Sequence, residues 1–534
     1  MSHAVRLPCD EASIRTGVAD PACQTAGRWV LAATILGSSL SFIDGTVVTV
    51  ALPAIGREMV AGGADLQWVV ESYALFLSAL LLVGGSLADQ FGRRRVYALG
   101  VLLFAGASIV CGLAPTIGSL IAARAIQGIG AALLVPGSLA LISASFDPSS
   151  RGRAIGTWSG FSGITTAIGP LLGGWLVNHS WRWAFFINVP IATIVLLLLR
   201  RVPESRSPEA RHVDVPGAAL ATLGLGGMVF GLIESPRRGW GDPMVIAGMV
   251  LGVVCLALFL FVEARSKSPM LPLSLFRSPS FAGANALTLF LYGALAAVFF
   301  FLPLNLIEVQ GYSPLGAGAA LLPFIVILFL LSRWSGGLVE RMGARLPLIV
   351  GPLVAAVGFF LLSLPETGRT YLVSFFPGIL VLGLGMAVSI APLTTTVMNA
   401  VDRESAGIAS GVNNAASRVA GLLAIALFGM MLSARFGAEL QHRVAEIPLD
   451  VAARQEVLAQ RGLLGAARPP AGVSPEQALR IRGAIDRSFV SGFSELTRVS
   501  AGLSILAAAC AALWIDQPRG RQRRRASQSS RLGM

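Results

Sequence analysis

The sequence predicts an all-α membrane protein whose chain crosses the lipid bilayer many times, and three observations support this prediction. Of the 534 residues, 54% are hydrophobic and 13% are charged, with a mean hydropathy of +0.72, whereas soluble proteins have about 25% charged residues. Apolar runs long enough to span a bilayer, about 20 residues each, recur along the chain. One turn motif also returns in the second half. The composition excludes an ordinary soluble enzyme and a disordered chain.

Fourteen apolar runs predict fourteen transmembrane helices. A first bundle of six helices is followed by two additional helices and a second bundle of six. In chain order, the runs cover 29–52, 67–88, 96–114, 117–141, 154–177, 184–199, 215–233, 243–262, 281–304, 315–331, 346–364, 371–392, 408–432 and 490–515.

The apolar runs divide the chain into five predicted segments. Because the first residues lack the apolar core and cleavage site of a signal peptide, the first span must also serve as the insertion signal. The segments are a cytoplasmic N-terminal tail (1–28), a six-helix bundle (29–200), two additional linker helices (201–265), a second six-helix bundle with a long outer loop near 433–489 (266–515), and a basic cytoplasmic tail (516–534).

The distribution of positive charge predicts which side of the membrane each turn faces. The chain has 41 Lys and Arg residues and a formal net charge of +13. With the N-terminus inside, the tails and even-numbered turns hold 25 of these residues, and the short outer turns hold five. Because cytoplasmic loops collect Lys and Arg, we expect both termini in the cytoplasm. The same rule explains the pI of 10.7 without nucleic acid as a partner.

Cysteines and histidines give no indication of a metal, haem or disulfide site. The five cysteines form no pair spaced for an extracellular disulfide or a zinc knuckle, and the four histidines form no cluster. Nothing in the sequence resembles a nucleotide-binding P-loop. We therefore expect no metal, no cofactor and no direct use of ATP.

A motif in the turn after the second span returns after the tenth, 251 residues later. Two halves of like topology are typical of transporters built from repeats. Glycines let helix ends approach closely, and carboxylates and arginines can cap helices or pair across a seam. Such contacts can form in one conformer and break in another, which would make a gate; a plain positive-inside anchor is the alternative. The residues are Gly85, Asp89, Gly92 and Arg93 in the first copy and Glu340 and Gly343 in the second.

Three ionisable residues lie inside the first four predicted spans: Asp44, Glu71 and Arg124. A charged side chain in the bilayer is costly unless it has a partner or faces water, and a rise of about 1.5 Å per residue places all three in the outer half of one bundle. An acid whose surroundings change can load and release a proton, so these residues are candidates for proton coupling. A static ion pair, snorkelling of Arg124 and simple solvation of Glu71 are the alternatives. Near Arg124, Gln127 suggests a polar stripe that lines a cavity.

The fifth span contains a motif of glycines around a proline, Gly169-Pro170-x-x-Gly173-Gly174. Glycines and a proline within a span permit a kink and close contact between helices. Generic packing of small residues is the alternative, but the motif is more specific than that.

A polar group also lies in the thirteenth span, where Arg418 follows Asn413. An arginine at this depth needs a partner or water. Arg418 either lines the transport cavity or pairs with a carboxylate as structural support, and the sequence leaves both open.

Together these motifs resemble the major facilitator superfamily. The resemblance rests on Asp44-x-Thr46 in the first span, the turn motif, Arg-x-x-Gln-Gly-x-Gly from Arg124, and the Gly-Pro-x-x-Gly-Gly motif. The last motif and the fourteen spans are similar to the fourteen-span drug:proton antiporter family, the multidrug exporters of the EmrB/QacA type. The resemblance covers nearly the whole chain and is strongest over 29–200.

The resemblance implies alternating access by a rocker switch, with the proton motive force driving export. It implies that Asp89 and Arg93 belong to a cytoplasmic gate that docks near Gly407, and that Asp44 and Arg124 belong to proton coupling. Pro170 and its neighbouring glycines would mark an antiporter. Two positions depart from the family pattern: Thr165 replaces a glycine, which weakens the case for antiport over symport, and Glu340 replaces an aspartate.

We therefore predict a secondary active transporter, and not an enzyme, that is a monomer in the cell (inner) membrane. It would export small hydrophobic or amphiphilic compounds in exchange for protons. The alternative within the fold is a proton-coupled symporter or a dedicated metabolite or lipid exporter. A membrane-embedded transferase is less favoured, since it would need a cluster of histidines and acids or a paired-aspartate motif at the membrane surface.

Overall fold

The structure is a computed structural model that describes residues 21–146, 148–206, 214–266, 269–365, 368, 370–402 and 406–515. All regular secondary structure in these ranges is helical. The all-α prediction is therefore confirmed for the described part of the chain.

The helices up to the end of the two additional helices follow the predicted order. They are α1 (Pro21–Met59), α2 (Gly63–Phe91), α3 (Arg93–Gly112), α4 (Ile117–Ser145), α5 (Pro148–Val177), α6 (Trp183–Phe186), α7 (Asn188–Leu199), α8 (Val215–Arg238) and α9 (Pro243–Arg265).

The remaining helices include several short or irregular ones. They are a 3-10 helix (Leu273–Arg277), α10 (Pro279–Leu304) with a π-helical turn at its end (Asn305–Val309), α11 (Pro314–Ala320), α12 (Leu322–Gly336), α13 (Leu338–Met342), α14 (Arg345–Leu361), α15 (Tyr371–Ser374), α16 (Phe376–Asn399), α17 (Ala406–Ala445), α18 (Val451–Ala459), a 3-10 helix (Gln460–Ala466) and α19 (Pro475–Trp514).

Within the described residues, eleven helices are long and apolar enough to cross a membrane. Shorter apolar helices cover Ile168–Val177, Trp183–Leu199 and Arg345–Leu361, which are the three remaining predicted positions. The protein is thus a multi-pass membrane protein, whereas the total of fourteen spans stays a prediction. Most side chains of α9 are exposed in the structure, as expected for a helix that faces lipid.

Most of the predicted outer loop near 433–489 is helical, while its position outside the membrane stays a prediction. Helix α17 continues to Ala445 and α19 begins at Pro475. The added turns carry charged side chains four residues apart, such as Arg443 with Glu439 at 2.6 Å, which support a helix outside an apolar environment. An apolar run marks where a helix can enter lipid, so it misses these polar extensions.

Polar side chains accept hydrogen bonds from the first backbone N–H groups of several helices that begin next to the apolar runs. The carboxylate of Asp242 accepts a hydrogen bond from the backbone N–H of Met244 at 2.8 Å, and Pro243 occupies the first helical position of α9. Asp450 accepts one from the N–H of Ala453 at 2.7 Å at the start of α18. These side chains satisfy backbone donors that a helix N-terminus leaves without partners.

Residue contacts divide the chain into two compact units. The first unit comprises the described residues of 1–271, 299–320 and 422–493. In it α4 packs against α1, α2 and α3, α1 packs against α5 and α7, and α8 packs between α9 and α2. This packing brings the first, second and fourth spans together.

The second unit comprises the described residues of 272–298, 321–421 and 494–534. Helix α16 packs against α12 and α14. Glycines bring α14 and α16 together: a Cβ on Gly358 would lie 2.5 Å from the backbone nitrogen of Leu382. The two units do not follow the boundaries of the two predicted bundles, and that division of the chain stays a prediction.

Candidate functional site

A buried ion pair lies inside the first unit. The Nη1 atom of Arg124 on α4 donates to Oδ2 of Asp44 on α1 at 2.5 Å, and the side chains are 1% and 0% exposed, respectively. Two predicted coupling residues are therefore in direct contact. Because neither charge reaches water, each depends on the other for its stability.

Further polar side chains complete the hydrogen bonds of this pair. Gln127 donates to Oδ1 of Asp44 at 2.8 Å and accepts from Nη1 of Arg124 at 2.7 Å. Asn188 on α7 also donates to Oδ1 of Asp44, at 3.2 Å. Ser108 on α3 accepts from the amides of Gln127 and Asn188 at 2.8 and 3.2 Å. The Asp44 carboxylate thus accepts hydrogen bonds from three different side chains.

Sequence analysis did not identify Asn188 and Ser108 as site residues. Both are buried polar residues inside apolar runs, and such residues need hydrogen-bond partners. That signal was present in the sequence, but it does not show which span faces which. Gln127 is fully buried, and its amide nitrogen and oxygen both bind the ion pair; its role in lining a cavity stays a prediction.

A backbone carbonyl and an aromatic ring complete the surroundings of the Arg124 guanidinium. Nε of Arg124 donates to the carbonyl oxygen of Val69 on α2 at 3.0 Å. The Arg124 Cζ atom lies 4.3 Å from the centroid of the Tyr73 ring, and the Tyr73 hydroxyl is 2.7 Å from Oγ of Ser41. A cation above an aromatic face is stabilised by the ring quadrupole. These contacts hold the Arg124 side chain of α4 against α1 and α2.

Glu71 on α2 differs sharply from Asp44. It is fully buried, and neither carboxylate oxygen has a hydrogen-bond partner among the described residues. A buried carboxylate without a partner is far less stable than its neutral form. One helical turn earlier, the Gln67 amide donates to the carbonyl oxygen of Ile425 on α17 at 2.9 Å. The structure therefore places Glu71 in the same unit as the ion pair but not in its network.

The turn between α2 and α3 forms around Gly92. This residue ends α2 and begins α3 with φ of +110°, a conformation that favours glycine. Asp89 accepts from Arg93 at 2.9 Å for Nε and 2.8 Å for Nη2. Arg93 is buried and Asp89 is partly exposed. Gly85 lies one turn earlier with the Pro136 side chain 3.8 Å from the position of a Cβ, so it is not tightly packed.

Glu204, beyond the sixth predicted span, anchors this turn. Its Oε1 accepts from the backbone N–H of Arg94 at 2.9 Å, and the backbone N–H of Arg93 donates to the carbonyl oxygen of Ser205 at 2.9 Å. A Cβ on Gly92 would lie 2.8 Å from the Glu204 carboxyl group. A carboxylate at the start of α3 satisfies helix N–H groups and the helix dipole. An isolated acid in a linker carries no recognisable motif, so sequence analysis missed it.

The second copy of the motif has the same turn but fewer described side chains. Gly343 follows α13 with φ of +75°, so this glycine also permits a left-handed turn. The side chains of Glu340 and of 403–407, which include Gly407, lie outside the described part of the structure. The docking of Asp89 there therefore stays a prediction.

The glycine motif of α5 lies where three helices approach closely. A Cβ on Gly173 would lie 2.9 Å from Cα of Val47 on α1, and one on Gly174 would lie 2.5 Å from Cα of Leu315 on α11. A Cβ on Gly169 would overlap the Thr46 hydroxyl, and Gly318 of α11 faces the carbonyl of Pro170 in the same way. The motif therefore makes specific close contacts on two sides of α5, beyond generic packing.

In the second unit, the amide of Asn413 donates to Oδ1 of Asn285 at 3.1 Å and to Oγ1 of Thr288 at 2.7 Å. These bonds join α17 to α10. Nε of Arg418 donates to Oδ1 of Asn414 on its own helix at 3.1 Å. Asn413 is thus a helix-joining residue in this conformation, and the two interpretations of Arg418 stay open. Across the described residues, no group of three or more His, Cys, Asp or Glu could hold a metal ion.

The fold and the site define a multi-pass helical membrane protein with a buried, hydrogen-bonded ion pair and glycine-mediated contacts between helices. The family model described as Major Facilitator Superfamily matches residues 34–425. The chain therefore belongs to the major facilitator superfamily, and it is a transporter of small molecules, not an enzyme.

Curated relatives and solved structures agree with this assignment. The chain is 37% identical over 472 residues to the multidrug resistance protein Stp of Mycobacterium tuberculosis, covering 86% of this chain and 87% of Stp. It is 33% identical to the tetracenomycin C resistance and export protein of Streptomyces glaucescens, covering 93% and 94%. A bacterial homolog of the human lysosomal transporter Spinster, inward-facing and occupied, has a TM-score of 0.62 at 20% identity and covers 91% and 96%. A D-xylose-proton symporter has a TM-score of 0.61 at 15% identity, covering 92% and 99%. These structures share the fold.

Proposed function

We propose that this transporter exports small hydrophobic or amphiphilic compounds, including drugs, in exchange for protons. The substrate class follows from its relatives, which are named for resistance and export. The proton motive force would drive the cycle without a cofactor. The observation that carries the coupling proposal is the buried Asp44–Arg124 ion pair, with Glu71 buried nearby in the same unit.

The chemistry of these groups suits a proton-driven cycle. Inside a low-dielectric bundle, the charge of one carboxylate changes the energy of every nearby charge. Protonation of Asp44 would weaken its bonds to Arg124 and Gln127, and so would loosen α1 from α4. Return of the proton to the opposite side would restore them. The cycle would thereby couple proton movement to the arrangement of helices around the substrate.

The proposal includes the placement of the protein. We infer a monomer in the cell (inner) membrane with both termini in the cytoplasm. The asymmetry of Lys and Arg between the predicted turns supports this orientation. In that orientation the α2–α3 turn with Asp89 and Arg93 lies on the cytoplasmic side and serves as the gate there.

Transport by everted membrane vesicles tests the proposal. With an inside-acid pH gradient, we expect uptake of a lipophilic drug identified by susceptibility profiling of deletion and overexpressing strains, and collapse of the gradient by a protonophore should stop it. Drug addition should also release protons from the vesicle interior. Uptake that persists without a pH gradient would contradict antiport. Movement of the drug in the same direction as the protons would also contradict antiport, and it would favour a symporter.

A further inference from the structure

The chain between α17 and α19, residues 446–474, folds over one end of the first unit. This segment, the cap, contains α18 and the 3-10 helix Gln460–Ala466. It rests on the turn between α1 and α2. The carbonyl oxygen of Gly462 lies 3.1 Å from the position of a Cβ on Gly62, and Cδ1 of Leu464 lies 2.6 Å from that position on Gly63. A larger residue at 62 or 63 would displace the cap.

Leu464 packs the cap against the α1–α2 turn, and the backbone of this residue is strained. Its φ and ψ angles are 54° and −130°, a combination that L-residues rarely adopt and that persists only where surrounding contacts compensate for it. Leu464 is almost fully buried and lines an apolar cavity with Leu66 and Phe489. The cavity has a volume of about 20 Å³, room for about one water molecule. The cap is therefore packed tightly against the ends of α1 and α2.

Arg482, near the start of α19, fastens the cap. Its Nη1 donates to the carbonyl oxygens of Gly465 and Ala467, both at 3.1 Å. Its Nη2 donates to the main-chain carbonyl of Glu308 and pairs with Asp486 at 2.8 Å. A guanidinium holds its donors in a fixed plane, so one side chain joins the cap, α19 and the end of α10.

Glu308 makes a second contact with its side chain. Its Oε1 accepts from Nη1 of Arg57, at the end of α1, at 2.7 Å. Glu308 lies in the π-helical turn Asn305–Val309, and such turns are frequent at functional positions. The main chain of Glu308 thus binds a residue of the second half of the chain, and its carboxylate binds a residue of the first half.

We propose that the cap is a plug carried by α10 and α19, that Arg482 is its positioning residue, and that the Arg57–Glu308 ion pair breaks when this end opens. Arg482 binds two carbonyl groups of the plug and the carbonyl group of Glu308, whereas among the described residues the plug meets the first half of the chain by packing of Gly462 and Leu464 against the α1–α2 turn. The half-exposed Arg57 contacts Glu308 and not the plug itself. The plug therefore stays with α10 and α19 and separates from the α1–α2 turn. The statement that this end of the protein opens during transport rests on the proposed function. The statement that the plug closes this end in the present structure does not.

Labelling of a buried cysteine with a membrane-impermeant maleimide tests the plug. The reporter is L66C in a chain whose five native cysteines are replaced. We expect R482A to raise the labelling rate about tenfold, because it removes hydrogen bonds from a charged group. R482K should restore little of the protection, since an ammonium group lacks the planar fork. The matched control is R480A, which removes an exposed ion pair with Glu476 on the same helix. Equal labelling of R482A and R480A would overturn the proposal.

A charge exchange tests the ion pair without relying on the fold of R482A. R57E and E308R should each raise the labelling rate of L66C, and the combined variant should bring it back toward the parent rate. Failure of the combined variant to restore protection would refute the role of the ion pair. Labelling reports opening without substrate or proton gradient, so this outcome is separate from the vesicle test of antiport.

Discussion

Asp44 and Arg124 neutralise each other inside the first unit, so changing either one alone leaves a buried charge without a partner. Breaking a buried pair in this way costs about 3–5 kcal/mol. We therefore expect D44N to lower the thermal unfolding temperature of the purified protein in detergent and to abolish proton-linked export, while the protein still inserts into the membrane. R124A should do the same.

The double variant D44N/R124Q separates the two effects, because it removes both charges and retains polar side chains. It should recover most of the stability lost by D44N but no proton-linked transport. Normal transport by D44N and R124A would remove these residues from the mechanism.

For a neutral substitution of Glu71 we expect the opposite effect on stability. Its two carboxylate oxygens are buried without partners among the described residues, so a neutral amide of the same shape removes a potential charge and breaks no described bond. We expect E71Q to unfold at the same temperature as the parent or higher, while the dependence of transport rate on external pH changes. Thermal unfolding and vesicle flux at several pH values measure both. A large loss of stability in E71Q would show that its carboxylate has a structural partner.

At the scale of elements, the glycine motif of α5 fixes the distance between α5 and α11. A methyl group at Gly174 would meet the backbone of Pro314 and Leu315 at 2.5–2.6 Å, and overpacking of this kind typically costs about 1–3 kcal/mol. We expect G174A to lower the unfolding temperature and the transport rate. Gly160 on the same helix is the matched control, because nothing lies within 4 Å of its Cβ position. A G160A variant as impaired as G174A would contradict this explanation.

The α2–α3 turn is the element in which we expect switching to be controlled. Asp89 supplies the carboxylate that pairs with the buried Arg93, far along the chain from the Asp44 network. D89N should therefore slow transport severalfold while substrate binding, measured by fluorescence titration, changes little. E476Q, which alters an exposed ion pair, controls for loss of a surface charge. A large loss of substrate affinity with normal switching would contradict the assignment of Asp89 to the gate.

The elements also show what the sequence can and cannot predict. Positions of spans follow from apolar runs because the bilayer imposes their length, and the need of Asp44 and Arg124 for partners follows from the cost of leaving either charge alone in the bilayer. Asn188 and Glu204 could not be assigned, because their roles depend on which helix packs against α1 or α3. The cap lies within the predicted outer loop, but its helices could not be assigned, since hydropathy does not distinguish polar helical turns from irregular loop.

At the scale of the whole molecule, the orientation depends on how many times the chain crosses the membrane. An even number of spans would place both termini on the same side, and the positive-inside rule predicts that this side is the cytoplasm. We therefore expect the cap, which lies between the last two predicted spans, to face the opposite side. Gly472 is a suitable insertion site, because it is exposed, has φ of +120° and has nothing within 4 Å of its Cβ position.

Two topology reporters test this arrangement. We expect alkaline phosphatase inserted at Gly472 to be active, because it folds outside the cytoplasm, and green fluorescent protein fused after the C-terminus to fluoresce, because it folds inside. Phosphatase inserted at Arg206, between the sixth and seventh spans, should be inactive and serves as the control. An inactive insertion at Gly472 together with a non-fluorescent C-terminal fusion would show that the last spans have the reverse orientation. The cap would then lie on the cytoplasmic side, and the plug would close the entrance for substrate instead of its exit.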